Sequence, residues 1–221
     1  MDVSEAVAAR RSVRGFLDEP VDPAVLEEIV RKAARAATGG NLQPWHIDLV
    51  SGESLAELKA IMAAKLSAGE AEEPAYAIYP PMLTAPYRDR RFAIGEAMYR
   101  EIGIPREDKA ARRMWFARNF QFFGAPAALF CTVDRQMGPP QWSDLGMYLQ
   151  TVMLLAVEAG LATCAQECWA MYPDTVTAFL GTPDERMLFC GMAIGFEDPA
   201  EPANRLRSAR ADEAEWLTVR S

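Results

Sequence analysis

The chain has 221 residues, half of them apolar, and a formal net charge of -8. Such a chain is expected to form a single domain over residues 1–221 with a sizeable core. Its charge repels nucleic acid and anionic lipid, and no apolar run reaches the roughly 20 residues that cross a bilayer. The first residues also lack the layout of a secretory signal. We therefore expect a cytoplasmic protein with no nucleic-acid or membrane partner.

The first half of the chain alternates helical and extended patterns. Asp22-Pro23 is typical of a helix start, and apolar residues recur at helical spacing from there to an end near Gly39-Gly40. Residues 46–50 alternate as a strand does, and residues 54–68 predict a second helix. Residues 69–91 contain four prolines and are predicted to be a long irregular loop, which is either a lid or substrate-facing insertion or a plain surface excursion.

The second half contains the most apolar segments. Residues 106–123 predict a helix rich in aromatic residues, and two continuous apolar runs, 127–133 and 188–196, predict buried strands. Residues 143–159 predict a helix that is apolar nearly all round, so it is buried on several sides, either at a subunit interface or within one subunit. The tail from residue 203 is poor in core residues and is expected to be frayed or laid across a partner.

Few residues are available for metal binding or side-chain catalysis. The four cysteines lie in apolar segments and are expected to be reduced core thiols; they are Cys131, Cys164, Cys168 and Cys190. The single histidine, His46, lies at a strand start, so no Ser/His/Asp or Cys/His arrangement can be built. We predict no metal ligand and no catalytic side chain, although a zinc-dependent hydrolase using Cys164 and Cys168 stays an alternative. Dinucleotide and P-loop motifs are also lacking, so a bound cofactor is expected to carry the chemistry.

Two basic clusters stand out against the acidic background, and neither contains an acidic residue. The first comprises Arg10, Arg11, Ser12 and Arg14, and the second Arg205, Arg207, Ser208 and Arg210. Guanidinium groups present a planar fork of donors that matches phosphate oxygens, and a serine hydroxyl adds a short donor. If the clusters converge, they form a phosphate site; each cluster alone is more typical of a solvated surface.

A glycine- and amide-rich segment follows the first long helix. Residues 38–45 read Thr-Gly-Gly-Asn-Leu-Gln-Pro-Trp. The glycines let backbone amides approach a ligand closely, and the side chains of Asn41 and Gln43 can both donate and accept, which suits a heterocycle. The alternative is a helix C-cap followed by a turn that proline fixes.

Six blocks, in order, resemble the nitroreductase family over nearly the whole chain. They are residues 10–14 (Arg-Arg-Ser-Val-Arg) with Phe16 and Pro20-Val21, residues 40–45 (Gly-Asn-Leu-Gln-Pro-Trp), 123–126 (Phe-Gly-Ala-Pro), 144–146 (Asp-Leu-Gly), 160–163 (Gly-Leu-Ala-Thr) and 204–207 (Asn-Arg-Leu-Arg). The resemblance implies an α+β fold with a central, mainly antiparallel sheet wrapped by helices. It also implies an intertwined homodimer with two FMN sites at the interface and an exchanged C-terminal tail.

The resemblance further implies which residues bind FMN. They are Arg10, Arg11, Ser12, Arg14, Thr38, Gly39, Asn41, Gln43, Ala165, Gln166, Glu167, Arg205 and Arg207. The arginines and Ser12 would hold the phosphate and ribityl chain, and residues 165–167 would line the ring near its reactive edge. Thr38 replaces a serine of many relatives but keeps the hydroxyl, whereas residues 164–169 are less typical of the family.

The implied activity is that of an oxidoreductase with a ping-pong mechanism. NADH or NADPH would deliver hydride to flavin N5, and a small planar, electron-poor substrate such as a nitroaromatic or quinone would then take two electrons. We predict an aromatic roof over the flavin, with the alternative that these rings are core; its members are Tyr76, Tyr79, Trp115, Phe122 and Phe123. A reductive dehalogenase or enone reductase on the same fold, and a non-catalytic FMN-binding or storage dimer, also remain open.

Overall fold

A computed structural model describes residues 1–220 of the chain and contains one four-stranded antiparallel sheet of order β1-β2-β4-β3. The strands are β1 His46–Ser51, β2 Ala127–Asp134, β3 Ala162–Gln166 and β4 Arg186–Gly195. The helices are α1 Val3–Ala9, α2 Pro23–Ala33, α3 Gly52–Ala68, α4 Tyr87–Glu101, α5 Lys109–Ala117, α6 Pro139–Glu158 and α7 Pro173–Leu180. The predicted α+β class with an antiparallel sheet is confirmed.

Strand β2 separates two cores, one on each face of the sheet. Successive side chains of a strand point to opposite faces, so Phe130 packs with Trp169 on one side while Leu129 packs with Leu145 on the other. Residues 127–133 are all buried, as their continuous apolar run predicts. The central sheet is therefore covered on both faces, and ligand sites must lie at its edges or beyond them.

Helix α6 covers one face of the sheet and is itself covered by α1 and α2. The Tyr148 hydroxyl donates to the carbonyl of Val30 at 3.0 Å, and its ring stacks on Trp45 at 4.8 Å between centroids. Met147 points away from this packing and is 41% exposed. The expected burial of α6 on several sides is thus met within one protomer, apart from this outer stripe.

Several elements differ from the sequence predictions. Helix α2 ends at Ala33 rather than near Gly40, and the chain then turns towards α6. Helix α1 begins with a capping box in which Asp2 and Glu5 bind each other's backbone, a signal the prediction did not use. Helix α4 begins at Tyr87, inside the predicted loop, because the prolines that prevent helix formation end at Pro86.

The remaining irregular segment, residues 70–86, is fixed over its first part. Both Glu72 carboxylate oxygens accept hydrogen bonds at the start of α7, including one from the Asp174 amide at 2.7 Å. The amide of Ala75 donates to the carbonyl of Ala170 at 2.8 Å. This half of the segment is consequently part of the fold rather than a free lid.

The tail is irregular apart from two short 3₁₀ turns, Pro202–Arg205 and Glu213–Glu215. Its far end lies along α4, where Arg90 binds Glu215 at 2.6 Å. Three apolar side chains of the tail, Trp216, Leu217 and Val219, are exposed. In the described residues, no helix is both long and apolar enough to cross a bilayer.

Candidate functional site

The two arginine clusters meet at one cavity of about 670 Å³. The cavity lies between the N-terminal segment (residues 7–14), α4 and the C-terminal segment (residues 206–210). Six arginines line the cavity, and its lining contains no carboxylate. They are Arg10, Arg11, Arg14, Arg91, Arg207 and Arg210, accompanied by Ser12 and Ser208. The convergence on which the predicted phosphate site depends is therefore present in the structure.

Asn204 joins the two clusters. Its Oδ1 accepts from the amide of Arg14 at 2.7 Å, while its Nδ2 donates to the carbonyls of Gly15 and Asp198 at 2.8 and 2.9 Å. The residue is 4% exposed, and all of its contacts are to main chain. Because one buried amide binds both segments, the positions of the Arg10–Arg14 and Arg205–Arg210 stretches are coupled.

The N-terminal cluster is also fixed to the sheet. The amide of Val13 donates to the carbonyl of Thr163 at 3.0 Å, which continues the sheet beyond the edge of β3. On the other side, the amide of Leu17 donates to the carbonyl of Phe196 at 2.9 Å, just after β4. Residues 10–14 thus run across the sheet edge, and all of their side chains except that of the buried Val13 line the cavity.

Most of the cavity's positive charge is not neutralised. Arg11 is the exception, because its guanidinium binds Glu197. Among residues 1–220, none of the other five arginines of the lining lies within ion-pair distance of a carboxylate. Instead, Arg207 donates to the carbonyls of Asn204 and Leu206 at 2.8 and 3.1 Å, which holds its guanidinium in place. Such a cavity is suited to an anion with several negative oxygens.

Two of the predicted phosphate ligands are placed differently from the rest. Arg205 is exposed and does not line the cavity, since it ends the Pro202–Arg205 turn on the other side of the chain. Arg11 lines the cavity, but its pairing with Glu197 makes it a contact between the N-terminal segment and the chain after β4. Arg10, Ser12, Arg14 and Arg207 are the predicted residues that the structure brings together.

The segment 38–43 forms a tight, exposed loop that α6 holds from below. The buried carboxylate of Asp144 accepts from the Thr38 hydroxyl at 3.0 Å and from the Gly39 amide at 3.1 Å. Asn41 and Gln43 have φ values of 58° and 50°, in the left-handed region that non-glycine residues rarely adopt. The side chains of both residues are exposed and lie outside the cavity lining. A strained loop that presents two amides to solvent is typical of a ligand or partner contact.

The residues predicted to line the flavin ring lie at the end of β3. Gln166 is buried, and its Nε2 donates to the carbonyl of Asn119 at 2.8 Å, while its Oε1 has no hydrogen-bond partner within residues 1–220. Glu167 is exposed and Ala165 half-buried, and neither lines the cavity. Only the backbone and the exposed side of this strand end are accessible, so the Gln166 side chain is a core contact.

The predicted aromatic roof is corrected by the structure. Phe122, Phe123 and Trp115 lie in the hydrophobic core of the protomer, where Phe122 stacks on Trp169 at 4.7 Å between centroids. Phe122 and Phe123 have φ values of 50° and 54°, and this local turn points both rings inward. They present no surface to a substrate within the protomer, which is the alternative that the sequence left open.

The two tyrosines of the predicted roof differ from each other. Tyr76 is half-buried between Trp142 and Phe189, and its hydroxyl donates to the carbonyl of Phe189. Tyr79 is 49% exposed and lines the arginine cavity, with the guanidinium of Arg91 stacked on its ring at 3.9 Å. Arg91 is a residue that the sequence interpretation missed. The signal was the group of three arginines in residues 88–91 (Arg-Asp-Arg-Arg), shortly after the last proline of the loop.

The four cysteines are free, and three of them are buried. Burial raises the pKa of each thiol above its ordinary value, so the thiolate form that binds metal is disfavoured. No group of three or more His, Cys, Asp or Glu residues suited to a metal ion is found in residues 1–220. These observations give no support to the zinc alternative.

The fold and the cavity define an α+β protein with an arginine-lined cavity at the edge of its sheet. Comparison with known proteins identifies the class more narrowly. The model of the nitroreductase family matches residues 7–196. The "4-nitrobenzoate reductase" of Pseudomonas putida is 35% identical over 95% of this chain and 91% of its own length. The chain therefore belongs to the nitroreductase family.

Solved structures agree with this assignment. The FMN and NADPH-dependent nitroreductase NfnB of sphigopyxis sp. strain HMH is 49% identical, with a TM-score of 0.96 and coverage of 100% of both chains. The FMN-dependent NfnB of Mycobacterium smegmatis, solved in complex with NADPH, is 26% identical, with a TM-score of 0.93 and the same coverage.

Proposed function

We propose that this protein is an FMN-dependent oxidoreductase that passes hydride from NADPH or NADH through flavin N5 to a small planar, electron-poor acceptor such as a nitroaromatic. The observation that carries the proposal is the cavity of convergent arginines on a nitroreductase fold. The related proteins, which include a 4-nitrobenzoate reductase and FMN- and NADPH-dependent nitroreductases, support the same activity.

The donors present in the structure fit the phosphate of FMN. Arg10, Arg14 and Arg207 offer guanidinium groups, of which those of Arg14 and Arg207 donate to backbone carbonyls, and Ser12 offers a hydroxyl donor. No carboxylate in the lining competes with an anion for these donors. Bound FMN would accept hydride at N5 and return two electrons to the acceptor. The protein would contribute cofactor binding, orientation and a positive field, and no side-chain nucleophile is required.

The buried contacts behind the cavity would keep its donors in position. Asn204 holds the Arg14 backbone against the C-terminal segment. The Arg11–Glu197 pair holds the N-terminal segment to the chain after β4. Preorganised donors bind an anion more tightly than mobile side chains, because less conformational entropy is lost on binding. These residues are therefore positioning residues rather than ligands.

A matched pair of arginine variants tests the cofactor site. Arg207→Ala removes a charge-assisted phosphate contact worth roughly 1.5 to 3 kcal/mol, so the FMN dissociation constant should rise about tenfold or more. Arg205→Ala changes the same charge two residues away but outside the cavity, and it should leave FMN affinity within about twofold. Equal effects of the two variants in a fluorescence titration of apoprotein with FMN would contradict the assigned site.

We also propose that the protein acts as a homodimer in which the segment 38–43 of one protomer completes the other's site. Two observations support this. The exposed amides of Asn41 and Gln43 do not reach the cavity of their own protomer. In addition, Val7, Leu42 and Met147 are 54%, 52% and 41% exposed, on α1, this loop and α6. Helix α6 contacts both α1 and this loop, and exposed apolar side chains on adjoining elements are typical of an obligate interface.

The C-terminal tail is proposed to be exchanged between the subunits. Strand β1 is an edge of the sheet, and an uncovered edge strand favours pairing with another chain. The exposed Trp216, Leu217 and Val219 could supply the apolar contacts. Truncation after Ala203 should give monomer or unfolded chain, measured by sedimentation velocity. Truncation after Ala211 keeps Asn204, Arg207 and Arg210, so it removes the tail without removing the residues of the cavity.

A truncated protein that stays a stable, yellow dimer would refute the exchange. The dimer proposal itself would be wrong if the full-length, FMN-loaded protein sedimented as a monomer at micromolar concentration. The two experiments are independent, because a dimer can form through α1, α6 and the segment 38–43 without the tail.

A further inference from the structure

The arginine cavity has an inner wall and an outer rim. Its inner wall is the N-terminal segment, in which Arg10, Ser12 and Arg14 are half-buried. The rim consists of exposed residues on α4 and the C-terminal segment, among them Arg91 and Arg210. The inner donors, together with Arg207, suffice for one phosphate monoester, which carries at most two negative charges. The rim therefore offers cationic groups beyond those that a flavin phosphate needs.

Arg91 differs from its neighbours on α4. Arg88 binds Asp89 at 2.8 Å and Arg90 binds Glu215 at 2.6 Å, so both are neutralised at the surface. Among residues 1–220, Arg91 lies within ion-pair distance of no carboxylate, and its guanidinium instead stacks on the Tyr79 ring. The stack directs a preoriented guanidinium into the cavity without neutralising it.

Arg210, on the C-terminal segment, is held in a similar way. Its Nη1 donates to the Ser208 hydroxyl at 2.6 Å and to the carbonyls of Ser208 and Ala209 at 3.1 Å. These bonds all use Nη1. The N–H groups on Nε and Nη2 remain available to bind an anion. Apolar residues of the same lining, including Ile94 and Met98, lie beside these charges. The rim thus combines phosphate donors with an aromatic and apolar surface.

We propose that Arg91 and Arg210 bind the 2′-phosphate of NADPH and that the stacked Tyr79 and Arg91 pair supports its adenine. A 2′-phosphate is a dianionic monoester that guanidinium groups bind in bidentate geometry, and purines stack on both tyrosine rings and guanidinium planes. This inference rests on the proposed function and deepens it, because it assigns the choice between the two nicotinamides to the rim. NADH lacks the 2′-phosphate, so it gains only the adenine stacking from this site and no charged contact to either arginine.

Binding of nucleotide fragments tests the assignment without turnover. In calorimetric titrations of the FMN-loaded protein, adenosine 2′,5′-bisphosphate should bind at least about tenfold more tightly than adenosine 5′-monophosphate. Arg91→Ala and Arg210→Ala should each remove most of that difference. Arg88→Ala, which removes the same charge from the same helix but at an ion-paired site outside the cavity, should preserve it. Equal affinity of the two fragments for the unaltered protein would overturn the proposal.

Steady-state kinetics give the second readout. Arg91→Ala should lower the ratio of kcat/KM for NADPH to that for NADH by about tenfold or more, through a higher KM for NADPH. The kinetic constants for NADH should change far less, and with Arg91→Gln, which keeps most of the stacking surface, they should stay within about twofold. Equal losses with both nicotinamides, or weaker FMN retention with an unchanged ratio, would mean that the rim serves the flavin phosphate, and either result would overturn the inference.

Failure of this inference is distinguishable from failure of the proposed function. In one outcome the protein retains FMN and oxidises both nicotinamides, and neither rim variant changes the ratio of kcat/KM for NADPH to that for NADH. This outcome contradicts only the assignment of Arg91 and Arg210. A protein that cannot retain FMN at all contradicts the proposed function, and the inference falls with it. Arg91→Gln provides a second variant that keeps most of the stacking surface on Tyr79 while removing the charge.

Discussion

Replacing Asn204 by alanine should damage both stability and cofactor binding, because one buried side chain joins the two arginine clusters. The change removes three hydrogen bonds, to the Arg14 amide and to the carbonyls of Gly15 and Asp198. At about 1 kcal/mol each, their loss lowers the free energy of unfolding by about 3 kcal/mol. The FMN dissociation constant should also rise roughly tenfold or more, since the phosphate donors on both segments lose their alignment.

Urea denaturation of the apoprotein and fluorescence titration with FMN measure the two effects separately. Asn204→Asp keeps the acceptor for the Arg14 amide but cannot donate to the two carbonyls, so it should destabilise at neutral pH at least as strongly as alanine. Arg205→Ala, at the next position and exposed, is the control and should change neither quantity appreciably. An Asn204→Ala protein with the unfolding midpoint and FMN affinity of the unaltered chain would refute this reasoning.

Two further predictions concern the core and the pH dependence of stability. Gly191→Ala should lower the free energy of unfolding, measured by urea denaturation, by about 2 kcal/mol or more. The reason is that an added Cβ would lie 2.4 Å from Cδ1 of the buried Trp169. Gly138→Ala, whose Cβ meets only ordinary contacts, is the control and should be nearly neutral. Burial, with the nearby Arg186, lowers the pKa of His46, so the unfolded chain binds a proton more readily and stability should fall as the pH drops below about 6.5. His46→Gln should flatten that part of a stability profile measured from pH 8 to 5, and an unchanged slope would contradict the assignment.

The sequence predicted the elements whose local patterns match their tertiary surroundings. The apolar runs that became β2 and β4 are buried on both faces, so their composition alone indicates their position. The short strand β3, which reads Ala-Thr-Cys-Ala-Gln, was not identified because its small residues have no strong period. It forms through pairing with β4, from Ala162 opposite Gly195 to Gln166 opposite Gly191, and such pairing is invisible in a local window.

The chemistry of the site was predictable, whereas the contacts that build it were not. Clusters of arginine without acidic neighbours indicate an anion site wherever they meet, and the structure brings Arg10, Arg14 and Arg207 together. Their meeting depends on Asn204, whose partner Arg14 is 190 positions away, and no local pattern encodes that distance. Asp144 holds the segment 38–43 in the same long-range way.

The aromatic residues show the limit of composition as a guide. Phe122 and Trp115 are chemically suited to a flavin roof, but they are equally suited to a core, and only backbone geometry separates the two roles. The left-handed conformation at Phe122 directs its ring onto Trp169, whereas Tyr79 remains at the surface beside Arg91. A search for the residues that contact substrate should therefore begin at Tyr79 and at the exposed segment 38–43.

The most direct test of the central claim is an anaerobic visible spectrum of the purified, FMN-reconstituted protein. Spectra are recorded before and after addition of NADPH or NADH, and again after addition of 4-nitrobenzoate. We expect flavin absorbance that bleaches with the nicotinamide and returns with the nitro compound, because one bound flavin serves both half-reactions. A chain that FMN cannot reconstitute, or a bound flavin that neither nicotinamide bleaches, would contradict the proposed function.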